Sequence, residues 1–284
     1  MFAAVATAAG LTATGAAAPS AKAPRLIFPV LGKSSFVDDF GDARWQGSHQ
    51  GNDIMAPRRA IAVAAEPGKA RFWTTSSAAG CMLYLYGKSG TTYLYIHLNN
   101  DLTTKNDNRG KCVAGVAYAK GLRNGAIVEA GQPIGFVGNS GDADGGNPHL
   151  HFEVHPNDGA ATNPFPYLRQ AERLIFPTAP QTTVTLSVSG AVKQAVAGEL
   201  SVKISKLQVF PAGTPLAQVR KLLKLALSNS AQIDLGGGRL AGPGDVAALA
   251  GRGVIVLTEP TAATLAAAAA RPGAFSVARV VVAP

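Results

Sequence analysis

Three of the five histidines in the chain lie within seven positions, at His149, His151 and His155. Residues 149–154 alternate between polar and apolar side chains, a pattern that predicts a half-buried strand. Successive strand side chains point to opposite faces, so His149 and His151 are expected to share one face, roughly 6.5–7 Å apart. At that spacing, one imidazole can bind a metal ion while the neighbouring imidazole contacts a ligand that is bound to the same metal ion.

His49 and Asp53 form a second candidate pair, four residues apart across a turn that contains glycine. Zinc accepts a histidine nitrogen at about 2.0–2.1 Å and an aspartate oxygen at about 2.0–2.2 Å, and a catalytic zinc commonly keeps three protein ligands and one open position. Two histidines and one carboxylate meet that count. Taken alone, however, the pair fits a salt bridge on a surface loop better than a metal site.

Four segments occur in a fixed order along the chain: HQGND at 49–53, YIHL at 95–98, GQPIGFVGNSG at 131–141 and PHLHFE at 148–153. Together they resemble the motifs of the lysostaphin/LytM-type zinc metalloendopeptidases, over about residues 28–168. The resemblance implies one zinc ion per chain, bound by His49, Asp53 and His151, with His97 and His149 as the catalytic pair. Non-catalytic relatives often lack one or more of these positions, so the complete set favours an active enzyme.

The function implied by the resemblance is hydrolysis of peptide cross-links in bacterial peptidoglycan. Zinc lowers the pKa of bound water from 15.7 to about 7. We expect His149 to assist deprotonation of that water and His97 to donate to the oxyanion or the leaving amine, although the two roles are exchangeable. The alternative is a catalytically silent wall-binding or amidase-activating protein of the same fold.

The chain is predicted to be mostly β, beginning with a two-sheet antiparallel metallopeptidase domain at residues 24–170. Aromatic and β-branched residues at 84–86 and 92–97 flank a polar glycine turn and predict a β-hairpin. Residues 99–124 are polar and glycine-containing, which predicts a loop insertion beside the groove.

Residues 171–284 are predicted to form a small mixed α/β domain of unknown role. Strands are expected at 182–189, 254–257 and 277–282, and an Ala-rich helix at about 261–270. A further helix is expected from Thr214, because apolar residues recur at helical spacing at Leu216, Val219, Leu223 and Leu227. Targeting of the wall, binding of a partner and inhibition of the peptidase all stay open as its role.

The N-terminus carries no charged side chain over residues 1–18, and Ala21-Lys22-Ala23 resembles a signal-peptidase site. Residues 1–23 are therefore predicted to be a signal peptide, with a disordered Ala-rich tail as the alternative. No later stretch has the 18 or more apolar residues that a membrane span needs, so the mature chain is expected to have no stable span. The predicted location is secreted, periplasmic or cell-wall associated.

The formal net charge of +9 suits a polyanionic partner. Peptidoglycan peptides are the expected substrate and anionic cell-wall polymers are candidate partners, whereas no motif indicates nucleic acid. Carbohydrate binding is a further reading of the charge. Cys81 and Cys112 do not form a CxxC pair, so they are expected either to join as a disulfide in an oxidising compartment or to stay as separate thiols.

Overall fold

The computed structural model describes residues 25–283, apart from residues 46, 75–76, 218–221, 229, 238 and 242. The predicted signal peptide at residues 1–23 lies outside the described residues. No helix in the described part of the chain is both long enough and apolar enough to cross a membrane.

Before residue 171, the described part of the chain contains ten strands, one short α-helix and two 3-10 helices, at Gly141–Ala143 and Pro156–Asp158. A six-stranded antiparallel sheet has the order β3-β10-β7-β6-β5-β8, and two-stranded sheets pair β1 with β2 and β4 with β9. The strands are β1 (Ala43–Arg44), β2 (Gly47–Ser48), β3 (Asn52–Met55), β4 (Ile61–Val63), β5 (Gly68–Trp73), β6 (Cys81–Gly87), β7 (Thr92–Leu98), β8 (Ile127–Val128), β9 (Pro133–Phe136) and β10 (His149–His155), followed by helix α1 (Phe165–Gln170).

Alternation of side chains gives the six-stranded sheet one core face and one open face. Leu150, Phe152 and Val154 of β10 are almost fully buried in the core, as predicted. The predicted hairpin is confirmed, since β6 and β7 pair antiparallel and Tyr86 lies opposite Thr92. The polar residues between these core positions therefore face the other side of the sheet.

The predicted loop insertion at residues 99–124 contains no strand beyond isolated bridges, but it is firmly attached. A disulfide joins Cys112 to Cys81 at the start of β6. Tyr118 is fully buried, stacks on Phe72 with ring centroids 3.7 Å apart, and donates a hydrogen bond to the Met82 carbonyl. The insertion is thus part of the core of this part of the chain.

The part of the chain after residue 170 forms an eight-stranded sheet of order β13-β12-β11-β16-β18-β14-β15, with β17 paired to β11. All pairs are antiparallel except β14 with β18. The strands are β11 (Ala179–Val196), β12 (Glu199–Phe210), β13 (Leu222–Ala226), β14 (Gln232–Asp234), β15 (Leu240–Ala241), β16 (Gly253–Thr258), β17 (Thr261–Ala263) and β18 (Val277–Val282), with helix α2 at Leu265–Ala268 and a 3-10 helix at Pro243–Leu249. Strands dominate this part, which was predicted to be mixed α/β.

The helix predicted from Thr214 is wrong over its described second half. Leu223 and Leu225 lie opposite Val202 and Leu200 of β12, and both leucines are buried. Every second residue of this segment is a leucine, and the neighbouring strand favours that period over the helical one. Residues 218–221 of the predicted helix lie outside the described residues.

The Ala-rich helix predicted at about 261–270 is shortened to α2. Thr261 and Ala262 instead pair with β11, so the helix begins only at Leu265. The strands predicted at 182–189, 254–257 and 277–282 are confirmed within β11, β16 and β18.

Contacts join the two parts of the chain around residues 130 and 178. The amide of Thr178 donates to the Gly131 carbonyl at 3.0 Å, and the Thr178 hydroxyl donates to the Ala130 carbonyl at 3.0 Å. The buried cluster of the C-terminal sheet also includes Ile27, Leu31 and Val63. The domain boundary at 170/171 stays a prediction, since the two parts share buried residues.

Candidate active site

His49, Asp53 and His151 meet at one edge of the six-stranded sheet. His49 Nε2 lies 2.9 Å from His151 Nδ1 and 3.2 Å from Asp53 Oδ1, and His151 Nδ1 lies 3.1 Å from the same oxygen. The antiparallel register places Asp53 of β3 directly opposite His151 of β10. Two segments almost 100 residues apart in sequence therefore supply neighbouring side chains.

The outer nitrogen of each of these two histidines is held by an oxygen. The Asp39 carbonyl lies 2.8 Å from His49 Nδ1, and Glu153 Oε1 lies 3.0 Å from His151 Nε2. A proton on each outer nitrogen leaves the inner nitrogen with its lone pair directed at the other two groups. The surrounding oxygens thus orient both rings toward a common point.

The three inner atoms fit a zinc ion. Together they form a His/Asp/His group able to hold a metal. Three acceptors at 2.9–3.2 Å from one another repel unless a cation or a proton lies between them. Tetrahedral ligands about 2.0–2.1 Å from zinc lie roughly 3.3 Å apart, close to the distances here.

Without a metal ion, a proton takes the place of the cation. Burial acts to lower the pKa of His151, but its hydrogen bonds to Asp53 and Glu153 raise that pKa to about 9. Burial acts to raise the pKa of Asp53, but hydrogen bonds to His151 and His49 hold it well below its usual range. Asp53 is therefore a carboxylate, ready to bind a cation, at any pH near neutrality.

Gly51, the middle glycine of the first motif, is required by the close approach of β10. A Cβ atom at this position would lie 2.6 Å from His151 Nε2 and 2.7 Å from the Phe152 carbonyl oxygen. Both distances are too short for real contacts, so a side chain here would displace the His151 ring.

Arg44 holds the second oxygen of Asp53. Its Nη2 atom donates to Asp53 Oδ2 at 3.1 Å and to Asp39 Oδ2 at 3.4 Å. This contact turns Asp53 Oδ1 toward the two histidines. Neither Arg44 nor Asp39 was predicted from sequence, because neither belongs to a motif and Asp39 holds His49 through its backbone carbonyl.

His97 reaches the same face through an irregularity in β7. Tyr95 and Leu98 point into the core, and Ile96 lines the cleft, so regular alternation would turn His97 inward. His97 instead has a φ of 59°, next to a register shift between β6 and β7. This change of phase places His97 on the open side, beside His149, with ring centroids 5.1 Å apart.

The two remaining predicted residues, His97 and His149, are each held at Nδ1 by a backbone carbonyl. The Ser140 carbonyl lies 2.8 Å from His97 Nδ1, and the Asn147 carbonyl lies 2.9 Å from His149 Nδ1. The Nε2 atoms then face the cleft as proton acceptors. Burial, with the charge of His149, lowers the pKa of His97 to about 4, so His97 is neutral at pH 7.

His155 lies beside this group without facing its centre. Its Nε2 atom contacts Glu153 Oε2 at 2.6 Å, so Glu153 bridges His155 and His151. All five residues predicted from sequence thus lie in one cleft, also lined by Trp45, Asp142 and Ile96.

Comparison with known proteins finds similarity over the part of the chain that forms this cleft. Residues 47–164 match the family described as peptidase family M23. An L-Ala--D-Glu endopeptidase of Bacillus subtilis (strain 168) is 29% identical over 156 residues, which are 51% of this chain and 43% of that relative. The chain thus matches less than half the length of this curated relative.

Two solved structures are similar to about half of the chain. A LytM protein of Ruminococcus gnavus ATCC 29149 is 26% identical, with a TM-score of 0.41, over 51% of this chain and 60% of the other. The catalytic domain of the antimicrobial peptidase lysostaphin from Staphylococcus simulans is 23% identical, with a TM-score of 0.34, over 49% of this chain and 89% of the other. Residues 47–164 are thus similar to peptidase family M23, and the motifs that resemble the lysostaphin/LytM type lie largely in the same part of the chain.

Proposed function

We propose that the protein is a zinc-dependent endopeptidase that hydrolyses peptide cross-links of bacterial peptidoglycan. One observation carries the proposal: the ligand atoms of His49, Asp53 and His151 converge within 3.2 Å of one another, and both imidazoles are oriented by oxygens behind them. Such support behind the ligands is typical of a functional metal site.

The names of similar proteins support the substrate class. The Bacillus subtilis relative is an L-Ala--D-Glu endopeptidase, and lysostaphin is an antimicrobial peptidase. The net charge of +9 also suits an acidic wall, and anionic wall polymers are proposed as further partners.

The chemistry divides between the metal and the two other histidines. Zinc supplies a Lewis acid that polarises the scissile carbonyl and makes water more acidic. His149, whose Nε2 faces the cleft, takes the proton of the attacking water and delivers it to the leaving amine. The Asn147 carbonyl keeps the His149 ring in the tautomer that this role requires.

His97 is proposed as the second catalytic histidine. In its neutral form Nδ1 carries the proton donated to Ser140, so Nε2 is an acceptor and not a donor. His97 therefore becomes a donor only after its Nε2 has accepted a proton of the attacking water, which has two to transfer: one passes through His149 and the other through His97 to the leaving amine. Its position 5.1 Å from His149, between ring centroids, allows the two rings to share this task.

Export from the cytoplasm is proposed on two grounds. The Cys81–Cys112 disulfide is typical of proteins that fold in an oxidising compartment. Residues 1–23 have the composition of a signal peptide. We therefore propose a secreted, periplasmic or cell-wall location.

The direct test is digestion of purified peptidoglycan by the zinc-loaded protein, with released fragments identified by mass spectrometry. We expect new amino termini within the peptide part. His149→Ala and His97→Ala should each retain one zinc ion and lower turnover by at least about 100-fold, the range of general acid–base catalysis.

His155→Ala is the matched control, because it removes a histidine from the same strand face without touching the proposed metal ligands directly. We expect it to change turnover much less than His149→Ala. A zinc-loaded wild-type protein that binds the wall but releases no peptide would instead support the catalytically silent alternative.

A further inference from the structure

Three aromatic side chains form a strip on the open face of the six-stranded sheet, away from the metal ligands. The aromatic strip consists of Trp73 on β5 and Tyr84 and Tyr86 on β6. The Trp73 and Tyr84 rings lie 5.7 Å apart between centroids, and Tyr84 and Tyr86 lie 6.0 Å apart and nearly parallel. Trp73 is 39% exposed and Tyr86 is 36% exposed, so their rings remain available to solvent.

The strip shares its face with the active site. Across the sheet, Arg71 lies opposite Tyr84, Tyr84 opposite Leu94, and Leu94 opposite Glu153. Residues directly opposite one another in an antiparallel sheet point to the same side. The carboxylate that holds His151 and the aromatic strip are therefore two strand spacings apart, roughly 10 Å.

Electrostatics agree with this short separation. Burial raises the pKa of the Tyr84 hydroxyl, and the charges of Tyr86 and Glu153 raise it further, whereas Arg71 acts in the opposite direction. The pKa of Tyr84 is thus affected by Glu153 on the active-site side and by Arg71 toward the outer edge of the sheet.

Two cations border the strip on β5. Lys69 and Arg71 alternate with buried Ala70 and are exposed on the same face as Trp73. Lys69 lies opposite Tyr86, and Arg71 lies opposite Tyr84. The surface therefore offers flat apolar rings beside positive charge, a combination that suits a ligand with apolar ring faces and carboxylates.

We propose that the aromatic strip binds the glycan strand of peptidoglycan and so presents the attached peptide to the metal site. Pyranose rings have an apolar C–H face that stacks on aromatic side chains, and the peptides attached to the glycan carry carboxylates that Lys69 and Arg71 attract. The inference rests on the proposed peptidase function for its choice of sugar.

The distance between the two sites fits this arrangement. An extended peptide spans at most about 3.3–3.6 Å per residue, so roughly three residues reach from Tyr84 to Glu153 and about four reach His151, which lies two residues further along β10. A sugar on the strip therefore brings the first residues of its own peptide into the cleft. Three features favour a glycan over a second copy of the chain: the sheet face shared with the active site, the positive charge of Lys69 and Arg71, and the short distance to the proposed metal ligands.

Binding is tested first, without catalysis. Metal-free protein is titrated with peptide-free glycan strands released from peptidoglycan by an amidase, and affinity is measured calorimetrically or by tryptophan fluorescence. We expect Trp73→Ala and Tyr84→Ala each to weaken binding by about 5- to 10-fold. Trp73→Phe should retain most of the affinity, because it keeps a ring for stacking.

Phe210→Ala is the matched control, since Phe210 is 44% exposed but lies at the end of β12 in the other sheet. We expect it to leave glycan affinity unchanged. Calorimetric unfolding of each variant identifies any that fails to fold, and Trp73→Phe keeps the test valid in that case. Equal affinity in the wild type, Trp73→Phe and Trp73→Ala proteins would overturn the proposal.

Hydrolysis provides a second, separate readout. The strip variants should lower kcat/KM on glycan-linked peptidoglycan but not on peptides freed of sugar, because only the former contact the strip. Equal losses on both substrates would overturn the proposal. If the protein binds glycan but cleaves neither substrate, the strip is supported and the proposed peptidase function is the part that fails.

Discussion

The two sheets differ in what they bury. Among the described residues, the buried Asp, Glu and His side chains all precede residue 171, and they are Asp39, His49, Glu66, His97, Asp101 and Glu153. After that point the buried polar residues are hydroxyls alone, at Thr178, Ser201 and Thr258. Each hydroxyl has a partner, as when Thr258 Oγ1 accepts a hydrogen bond from the Leu186 amide at 2.9 Å.

The first part of the chain therefore buries ionisable groups, whereas the second part buries almost only apolar side chains. Burying a charged or polar group is unfavourable unless partners compensate for lost water. The part of the chain before residue 171 supplies partners for several of its buried polar groups, for example Arg58 to buried Asp101 and Asn139. The second sheet has valines and leucines at its inward positions.

The largest effect should follow removal of the carboxylate ligand. Asp53→Ala leaves two imidazoles without an anion, so we expect zinc to be lost on dialysis and activity to fall below detection. Metal analysis and peptidoglycan digestion measure both. Asp158→Ala, which removes an exposed carboxylate, should keep its zinc, and retention of zinc by Asp53→Ala would contradict the proposed ligand set.

A smaller effect is expected at the residue that supports a ligand. Glu153→Ala removes the acceptor at His151 Nε2, so the ring loses its fixed tautomer. Zinc affinity should weaken by about 10- to 100-fold, the usual range for such partners. Competition with a chelator measures this, with exposed Glu129→Ala as the control, and an unchanged affinity would show that Glu153 does not orient His151.

Zinc affinity should also depend on pH. The pKa of His151 is raised from 6.5 to about 9 in the metal-free protein, so zinc must displace a proton at neutral pH. Apparent affinity should rise about tenfold per pH unit toward pH 9 and then level off. Calorimetry in buffers of different ionisation enthalpy counts the released proton, and a flat profile between pH 7 and 9 would contradict the raised pKa.

The raised pKa of His151 also predicts the direction in which the stability of the metal-free protein changes with pH. A raised pKa contributes stability that is fully present below pH 6.5 and is lost as the pH rises through 9. Zinc-loaded protein should not lose this contribution, because the metal replaces the proton.

The smallest effect on the site should come from the second sheet. Leu200 is fully buried opposite Leu225, and Leu200→Ala should destabilise the fold by about 2–5 kcal/mol. Urea unfolding measures this loss, while zinc affinity of the folded protein should stay within about twofold of wild type. A loss of affinity as large as that of Glu153→Ala would mean that the second sheet positions the metal ligands.

Much of the first sheet can be predicted from the sequence, because the alternation of polar and apolar residues and the four motifs indicate the same strands and the same face. The alternation of residues 149–154 predicts both the strand and the face that carries His149 and His151. The four motifs predict which residues gather, and the structure brings all five together.

The parts that sequence does not predict depend on backbone geometry. Carbonyls of Asp39, Ser140 and Asn147 orient three of the histidines, and a carbonyl is present at every residue. The positive φ of His97 likewise cannot be predicted from the type of its side chain. Residues 222–226 have apolar positions at both helical and strand spacing, and only the presence of β12 decides between them.

The shared open face of β5, β6, β7 and β10 makes correct pairing of these strands unusually well specified. A slip of one residue between β6 and β7 would exchange the faces, moving Tyr84 and Tyr86 toward the core and Leu83 and Leu85 toward water. On β10, the same slip would drive histidines and a carboxylate into an apolar interior. Misregistered intermediates are thus strongly disfavoured, and the polar and aromatic residues of the open face also oppose mispairing as the chain folds.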